Sequence, residues 1–141
     1  MTTIDERLDL IQESVSRLRG VEVEEDDFYR YQGIKHTLQE AVEAAIDAAS
    51  HIIAEEGFGR QDDYADYFAT LEDSGVIDAE LSENLQQMAR FRNLVVHRYT
   101  ELDPEELQEI IDNNLDDLLR FVEAVEDYRA ETREQAESER S

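Results

Sequence analysis

The sequence predicts an all-α fold, an antiparallel bundle of about five helices. Apolar residues recur at three- and four-residue steps, and no useful stretch alternates apolar and polar residues as a strand would. One proline and five glycines in 141 residues leave little to interrupt helices. A chain of this length can bury one hydrophobic core without disulfides or a structural metal. We therefore expect one helical domain over residues 1–127.

The first two helices are marked by a cap, a stop signal and their apolar stripes. Helix one opens with the capping-box pattern Thr3-x-x-Glu6 and ends at Gly20. The second helix is expected over roughly residues 25–56, and Gly57-Phe58-Gly59 breaks it. Both helices carry apolar residues at helical spacing and should face a core: Ile4, Leu8, Ile11, Val15 and Leu18 in the first, and Phe28, Tyr31, Ile34, Leu38, Val42, Ala45, Ala49 and Ile52 in the second.

Three further helices complete the expected bundle. Tyr64 to Leu71 form a short third helix that stops near Gly75. Asp78 is expected to cap a fourth helix, and Asp103-Pro104 to start a fifth, with proline at the first helical position. The stripe of the fifth is Leu107, Ile111, Leu115, Leu118, Val122 and Val125. Apolar periodicity is lost from Glu126, so residues 128–141 are predicted to form a charged, frayed or disordered tail.

The charge balance is extreme. The chain carries 37 acidic and 13 basic residues, a formal net charge of −24. Self-repulsion of this size is screened at 1 M salt, where the Debye length is about 3 Å, so a salt-adapted, halophilic cytoplasm explains it best. An acidic protein that binds basic partners or mimics nucleic acid is the alternative, but the acids are spread along the chain instead of forming one block.

Composition also excludes several classes of site. The chain has no cysteine, which rules out disulfides, thiolate metal sites and a cysteine nucleophile. His36 and His51 lie outside any H-E-x-x-H motif, and Asp47, one turn before His51, predicts a simple polar pair. We therefore expect no metal and no cofactor. The chain has no signal-peptide pattern and no membrane-length apolar run, which predicts a cytoplasmic protein without membrane association.

One segment near the end of the fourth helix combines the groups that metal-independent RNA cleavage needs. His97 could exchange the proton of a ribose 2′-OH near neutral pH. Arg92 could hold the phosphate charge that grows in the transition state. Asn93, one turn before His97, could orient the imidazole or bind a phosphate oxygen, and Tyr99 could contact phosphate or stack on a base.

The spacing of Arg92 and His97 constrains how such a site is built. Residues five apart lie roughly 140° apart around an ideal helix, so these two do not share a face. Either the helix ends or distorts before His97, or two copies of the segment meet across a two-fold axis. Ordinary roles also remain: Arg92 pairing with an acid, His97 at the negative end of the helix dipole, and Tyr99 in the core.

The segment Arg92-Asn93-Leu94-Val95-Val96-His97-Arg98-Tyr99 resembles the R-x4-H-x-Y signature of HepT-like HEPN proteins. Three further segments are similar to that family: Leu71 to Ile77, Leu85 to Phe91 and Ala45 to Ile53. The resemblance covers roughly Leu8 to Val125. It implies an antiparallel helical bundle and a homodimer with a cleft at its interface. Arg92 and His97 would be the catalytic residues of a metal-independent endoribonuclease toxin.

The resemblance further implies a cognate nucleotidyltransferase antitoxin of the MNT type, which can transfer AMP to the motif tyrosine, here Tyr99, and so block the nuclease. A non-catalytic HEPN module that presents a nucleotide or a tyrosine to such a partner uses the same residues and is the alternative function. A purely structural helical partner is a third hypothesis. Activity on RNA separates the first function from the other two.

Overall fold

The computed structural model describes residues 3–24, 26–59, 61–97 and 104–140, with residues 91–97 described by their backbone. It contains α1 (Ile4–Leu18), α2 (Phe28–Glu56), α3 (Tyr64–Asp73), α4 (Ala79–His97), α5 (Pro104–Asn113) and α6 (Leu115–Arg140). The described residues form no strand, and the predicted all-α class is confirmed. None of these helices is both long and apolar enough to cross a membrane.

Carboxylate and hydroxyl caps fix the starts of the helices. The Thr3 hydroxyl accepts a hydrogen bond from the Glu6 amide at 3.2 Å, and the Asp78 carboxylate accepts one from the Leu81 amide at 2.8 Å. Both predicted caps are therefore confirmed. Helix α2 begins at Phe28, later than the sequence indicated, because the Asp27 carboxylate caps it through the Arg30 amide at 3.0 Å.

The expected fifth helix is two helices, and this part of the prediction was wrong. A turn at Asn114 separates α5 from α6. The Asn114 carbonyl accepts from the Asp117 amide at 3.2 Å, and the Asn114 side-chain amide donates to the Asp117 carboxylate at 3.3 Å. Asparagine side chains compete with the helix for backbone and nearby polar partners. Since the apolar period continues across the break, periodicity alone did not reveal it.

One core joins the helices. Phe68 and Phe121 are almost fully buried and meet edge to face, with ring centroids 5.8 Å apart. The buried carboxylate of Asp117 ties α4 to α6, because it accepts from the Asn84 amide at 3.2 Å and lies 3.5 Å from the Arg120 guanidinium. These contacts hold the first half of α4 firmly against α6.

Helices α4 and α6 run in opposite directions. Asp78, before the start of α4, lies 3.9 Å from Arg120, whereas Asn84, further along α4, contacts Asp117, which is earlier in α6. Helix α4 therefore advances toward the end of the bundle where α6 begins. The part of α4 after Asn84 rises about 20 Å in that direction.

The same end of the bundle holds the end of α1 and the start of α2. Arg19, which follows α1, donates to Asp116 at 2.7 Å, and the Val23 amide in the connection to α2 donates to Gln108 of α5 at 2.6 Å. We call this end, where α1 ends, α2 and α6 begin and α4 points, the head of the bundle. At the opposite end, Arg129 donates to Asp5 at 2.8 Å.

Helix α6 carries the chain helically through the predicted tail segment, residues 128–141, as far as Arg140. Tyr128 fastens this part to α2: burial, together with the hydrogen bond and charge of Glu56, raises the pKa of its phenol. Every described side chain from Arg133 to Glu139 is exposed. Glutamate, alanine, arginine and glutamine are good helix formers, which accounts for helix without packing. The boundary of the domain at residue 127 stays a prediction.

Ion pairs do little to offset the acidic charge. The Arg19–Asp116 and Arg129–Asp5 pairs join α1 to α6 at the two ends of the bundle, but their carboxylates are largely exposed. Exposed pairs of this kind contribute about 0–1 kcal/mol each, so the net charge of −24 dominates the long-range electrostatics. The halophilic interpretation stays a prediction.

Candidate functional site

Helix α4 carries three of the four predicted site residues on its last turns. Arg92, Asn93 and His97 all lie within α4, which is α-helical up to and including His97. Tyr99, the fourth, lies outside the described residues. The spacing allowed two arrangements, and the first of them, a helix that ends before His97, is not what the structure has. The second, the meeting of two copies, stays a prediction.

The register of α4 separates the two groups proposed for the chemistry. The helix buries Leu81, Ser82, Leu85, Met88 and Ala89, a stripe centred on Leu85. Position 92 falls about 20° from the centre line of that stripe, whereas position 97 falls about 120° from it. Position 93 lies about 40° from position 97, on the same flank. Positions 93 and 97 of one copy of α4 therefore share a flank of the helix, and position 92 does not lie on that flank.

The surroundings of this segment differ from the rest of the chain in a way that the sequence analysis missed. Residues 84–100 contain no Asp or Glu but include Arg90, Arg92, His97 and Arg98. In a chain with 37 acidic residues, this is the longest acid-free stretch. A search for gaps in the acidic pattern, instead of the mean charge, would have found it. The candidate site therefore sits in a locally basic segment, which favours phosphate binding.

Arg90 is a residue that the sequence analysis did not single out. Its position is about 20° from that of His97, seven residues on, so the two share a flank of α4. Its side chain is exposed and forms no ion pair within the described part of the chain. The residues one helical turn away from it, Gln86, Gln87, Asn93 and Leu94, are all uncharged. Arg90 is thus available to a negatively charged ligand.

The other histidines do not join the candidate site. His36 contacts Glu40 on the next turn of α2, with 2.9 Å between Nε2 and Oε1. Asp47, which we expected to pair with His51, instead lies 3.5 Å from Arg7 of α1. Over the ranges that the structure describes, no group of three histidine or carboxylate side chains is placed to hold a metal ion.

Comparisons of sequence with known proteins agree on one family. The model of the family described as Ribonuclease HepT-like matches residues 4–125. Over 99 residues the chain is 31% identical to a protein of Shewanella oneidensis named mRNA nuclease HepT. The aligned part covers 70% of this chain and 74% of that protein. Over 95 residues it is 33% identical to a putative RNase of Archaeoglobus fulgidus, and this aligned part covers 67% of this chain and 71% of that protein.

A solved structure gives the same result for the fold. The tri-AMPylated HEPN toxin of Shewanella oneidensis, in complex with its MNT antitoxin, superimposes with a TM-score of 0.80 at 27% identity. The superposition covers 89% of this chain and 98% of the toxin chain. Residues 4–125, which the family model matches, include the buried core and the described part of the candidate site.

Proposed function

Since the chain belongs to the Ribonuclease HepT-like family, as its sequence predicted, we propose that it is a metal-independent endoribonuclease and the toxin of a toxin–antitoxin pair. The observation that carries the proposal is the position of Arg92 and His97 on the continuous end of α4, inside the matched residues and within the acid-free segment. These are the residue types that cleavage of RNA through its own 2′-OH requires.

In the proposed reaction, the ribose 2′-oxygen attacks the adjacent phosphorus. A bond forms between the 2′-oxygen and phosphorus, and the bond between phosphorus and the 5′-oxygen of the next nucleotide breaks. His97 takes the proton of the 2′-OH and returns it to the departing 5′-oxygen. The guanidinium of Arg92 binds the phosphoryl oxygens, whose charge is largest in the transition state, and Asn93 supports the same group. The products are a 2′,3′-cyclic phosphate and a 5′-hydroxyl.

The test is cleavage of RNA by the purified chain at molar salt with a chelator present. We expect products that end in 2′,3′-cyclic phosphate, identified by mass spectrometry, because the nucleophile belongs to the substrate. The matched control is the same RNA with a single 2′-deoxy residue at the scissile position, which should resist cleavage there. Loss of activity in EDTA, or cleavage at the deoxy position, would contradict the mechanism.

The geometry of α4 makes a homodimer part of the proposal. Positions 92 and 97 face directions roughly 140° apart on an unbroken helix, so a shared cleft needs Arg92 of one copy near His97 of the other, as a two-fold axis allows.

Light scattering at molar salt should accordingly give twice the mass of the 16.4 kDa chain. Molar salt is chosen because the unscreened charge would drive copies apart in dilute buffer. A chain that cleaves RNA as a monomer at micromolar concentration would disprove the shared cleft while leaving the ribonuclease proposal intact.

The proposed protein partner is a nucleotidyltransferase antitoxin. The superimposed toxin is bound to an MNT antitoxin and carries AMP, and this chain contains the tyrosine of the R-x4-H-x-Y pattern at Tyr99. We take Tyr99 as the AMP acceptor, so that the partner switches the nuclease off by covalent modification.

A further inference from the structure

The chain contains a second acid-free segment besides residues 84–100. Residues 28–39, which form the start of α2, contain no Asp or Glu but include Arg30, Lys35 and His36. After residues 84–100, this is the longest acid-free stretch in the sequence. Both segments therefore stand out from a chain whose net charge is −24.

The fold brings the two segments to the same end of the molecule. Helix α2 begins at the head of the bundle, where the connection from α1 is held by Gln108. Helix α4 advances toward the head, as its contacts with α6 at Asp78 and Asn84 establish. The head therefore presents two segments with basic and without acidic side chains, one of which contains the proposed catalytic residues.

The start of α2 also exposes two aromatic rings. Phe28 is 59% and Tyr29 85% exposed, and they are the exposed large hydrophobic side chains within the described ranges. The expectation that Phe28 faces the core was therefore wrong, because it is the first residue of α2 and lies beyond the packed part of the stripe. The two ring centroids lie 5.5 Å apart at 79°, an edge-to-face pair that holds both rings in a defined orientation. Contact of apolar ring surface with water is unfavourable, so a ligand that covers these rings would gain binding free energy.

Cationic groups flank this pair on the following turns. Arg30 is exposed, and its Nε donates to the Glu22 carbonyl at 3.2 Å, which leaves its charge without a carboxylate partner in the described structure. Lys35 Nζ lies 5.4 Å from the centroid of the Tyr31 ring, so its charge lies over an aromatic ring. Aromatic faces for stacking beside cations for phosphates are the combination with which proteins bind single-stranded nucleic acid.

We propose that Phe28 and Tyr29 form a base-stacking platform that binds the single-stranded RNA substrate outside the catalytic cleft. This proposal rests on the proposed function and adds how the RNA substrate is held. Two bases of the strand stack on the rings, and phosphates lie near Arg30 and, on α4, near Arg90. The acidic residues that precede α2 oppose binding through charge, but stacking involves no net charge. At high salt, where phosphate contacts weaken, stacking therefore supplies a larger share of the affinity.

The experiment measures binding of a fluorescent, fully 2′-O-methylated RNA of about 16 nucleotides to the full chain across a series of salt concentrations. This probe cannot be cleaved, so binding is read independently of catalysis. Tyr29→Ala should weaken binding on the order of tenfold at every salt concentration, because one stacked base is lost. Tyr29→Phe keeps the ring and should bind as the wild type does.

The salt series separates stacking from charge. Tyr29→Ala should leave the slope of log affinity against log salt unchanged, whereas Arg90→Ala should reduce its magnitude by about 0.7, the value for one phosphate contact on a single strand. Arg133→Ala is the matched arginine control. It is exposed on the part of α6 beyond Tyr128, away from the head, and should change neither affinity nor slope.

Three results would overturn the platform. Tyr29→Ala and Phe28→Ala could both bind RNA with wild-type affinity while circular dichroism shows the helical fold retained. Tyr29→Phe could be as defective as Tyr29→Ala, which would implicate the hydroxyl instead of stacking. Tyr29→Ala could weaken binding of the nucleotidyltransferase while RNA binding stays normal, which would assign the face to a protein partner. Absence of cleavage in the wild type, with this binding pattern intact, would instead refute the nuclease proposal alone.

Discussion

Replacing His97 with alanine is expected to lower RNA cleavage by roughly 10²- to 10⁴-fold, the usual contribution of a positioned acid–base group. Arg92→Ala should cost about 10²- to 10³-fold, because the phosphorane charge loses its principal cationic partner. Both residues lie on the last turns of α4, away from the Asn84–Asp117 contact that holds its first half to α6. The fold should therefore survive both changes. Thermal melting followed by circular dichroism verifies this, above all for Arg92→Ala, because position 92 lies near the centre line of the buried stripe.

The matched control is His51→Ala. His51 is an exposed histidine on α2 to which no chemistry is assigned, and its loss should leave the cleavage rate unchanged. Since His97 and Arg92 act in one step, the double variant should be scarcely slower than the worse single variant. If the purified wild-type chain failed to cleave RNA under any salt condition, the non-catalytic HEPN module would become the better description.

Attachment of AMP to Tyr99 is expected to abolish cleavage by the modified chain. Each adduct places a phosphate and a purine beside His97, where they obstruct the strand and compete as an anion for Arg92. Co-expression with the cognate nucleotidyltransferase, followed by mass spectrometry of the intact chain, should show mass increases in steps of one AMP. The modified fraction should lack RNA cleavage, and the unmodified fraction should keep it.

Two tyrosines make this measurement specific. Tyr99→Phe should acquire no adduct. Tyr29→Phe should be modified as the wild type is, because Tyr29, although 85% exposed, lies at the start of α2. Adducts that persist in Tyr99→Phe, or an active wild-type complex without adducts, would defeat the acceptor role. An active complex without adducts would be explained if the Tyr99 hydroxyl were buried and hydrogen-bonded to a backbone group.

Local signals in the sequence determined most of the helices. The caps at Thr3 and Asp78 depend on one side chain and an amide three residues away, so their pattern is visible without tertiary structure. The apolar stripes, such as Leu8, Ile11 and Val15 of α1, are likewise set by the helical period and are buried as expected. Asn114 was missed because a one-residue turn leaves that period almost undisturbed.

The sequence by itself also determined the family and the residue types of the candidate site, because R-x4-H-x-Y is a contiguous pattern. Only the tertiary structure decided how those residues are presented. In the structure α4 stays helical to His97, so positions 92 and 97 lie about 140° apart around its axis. A cleft that uses both residues therefore needs a second copy of the chain. The tertiary structure also brings residues 28–39 and 84–100 to the head of the bundle. Spacing along the chain cannot reveal such proximity, since it depends on the directions in which packed helices run.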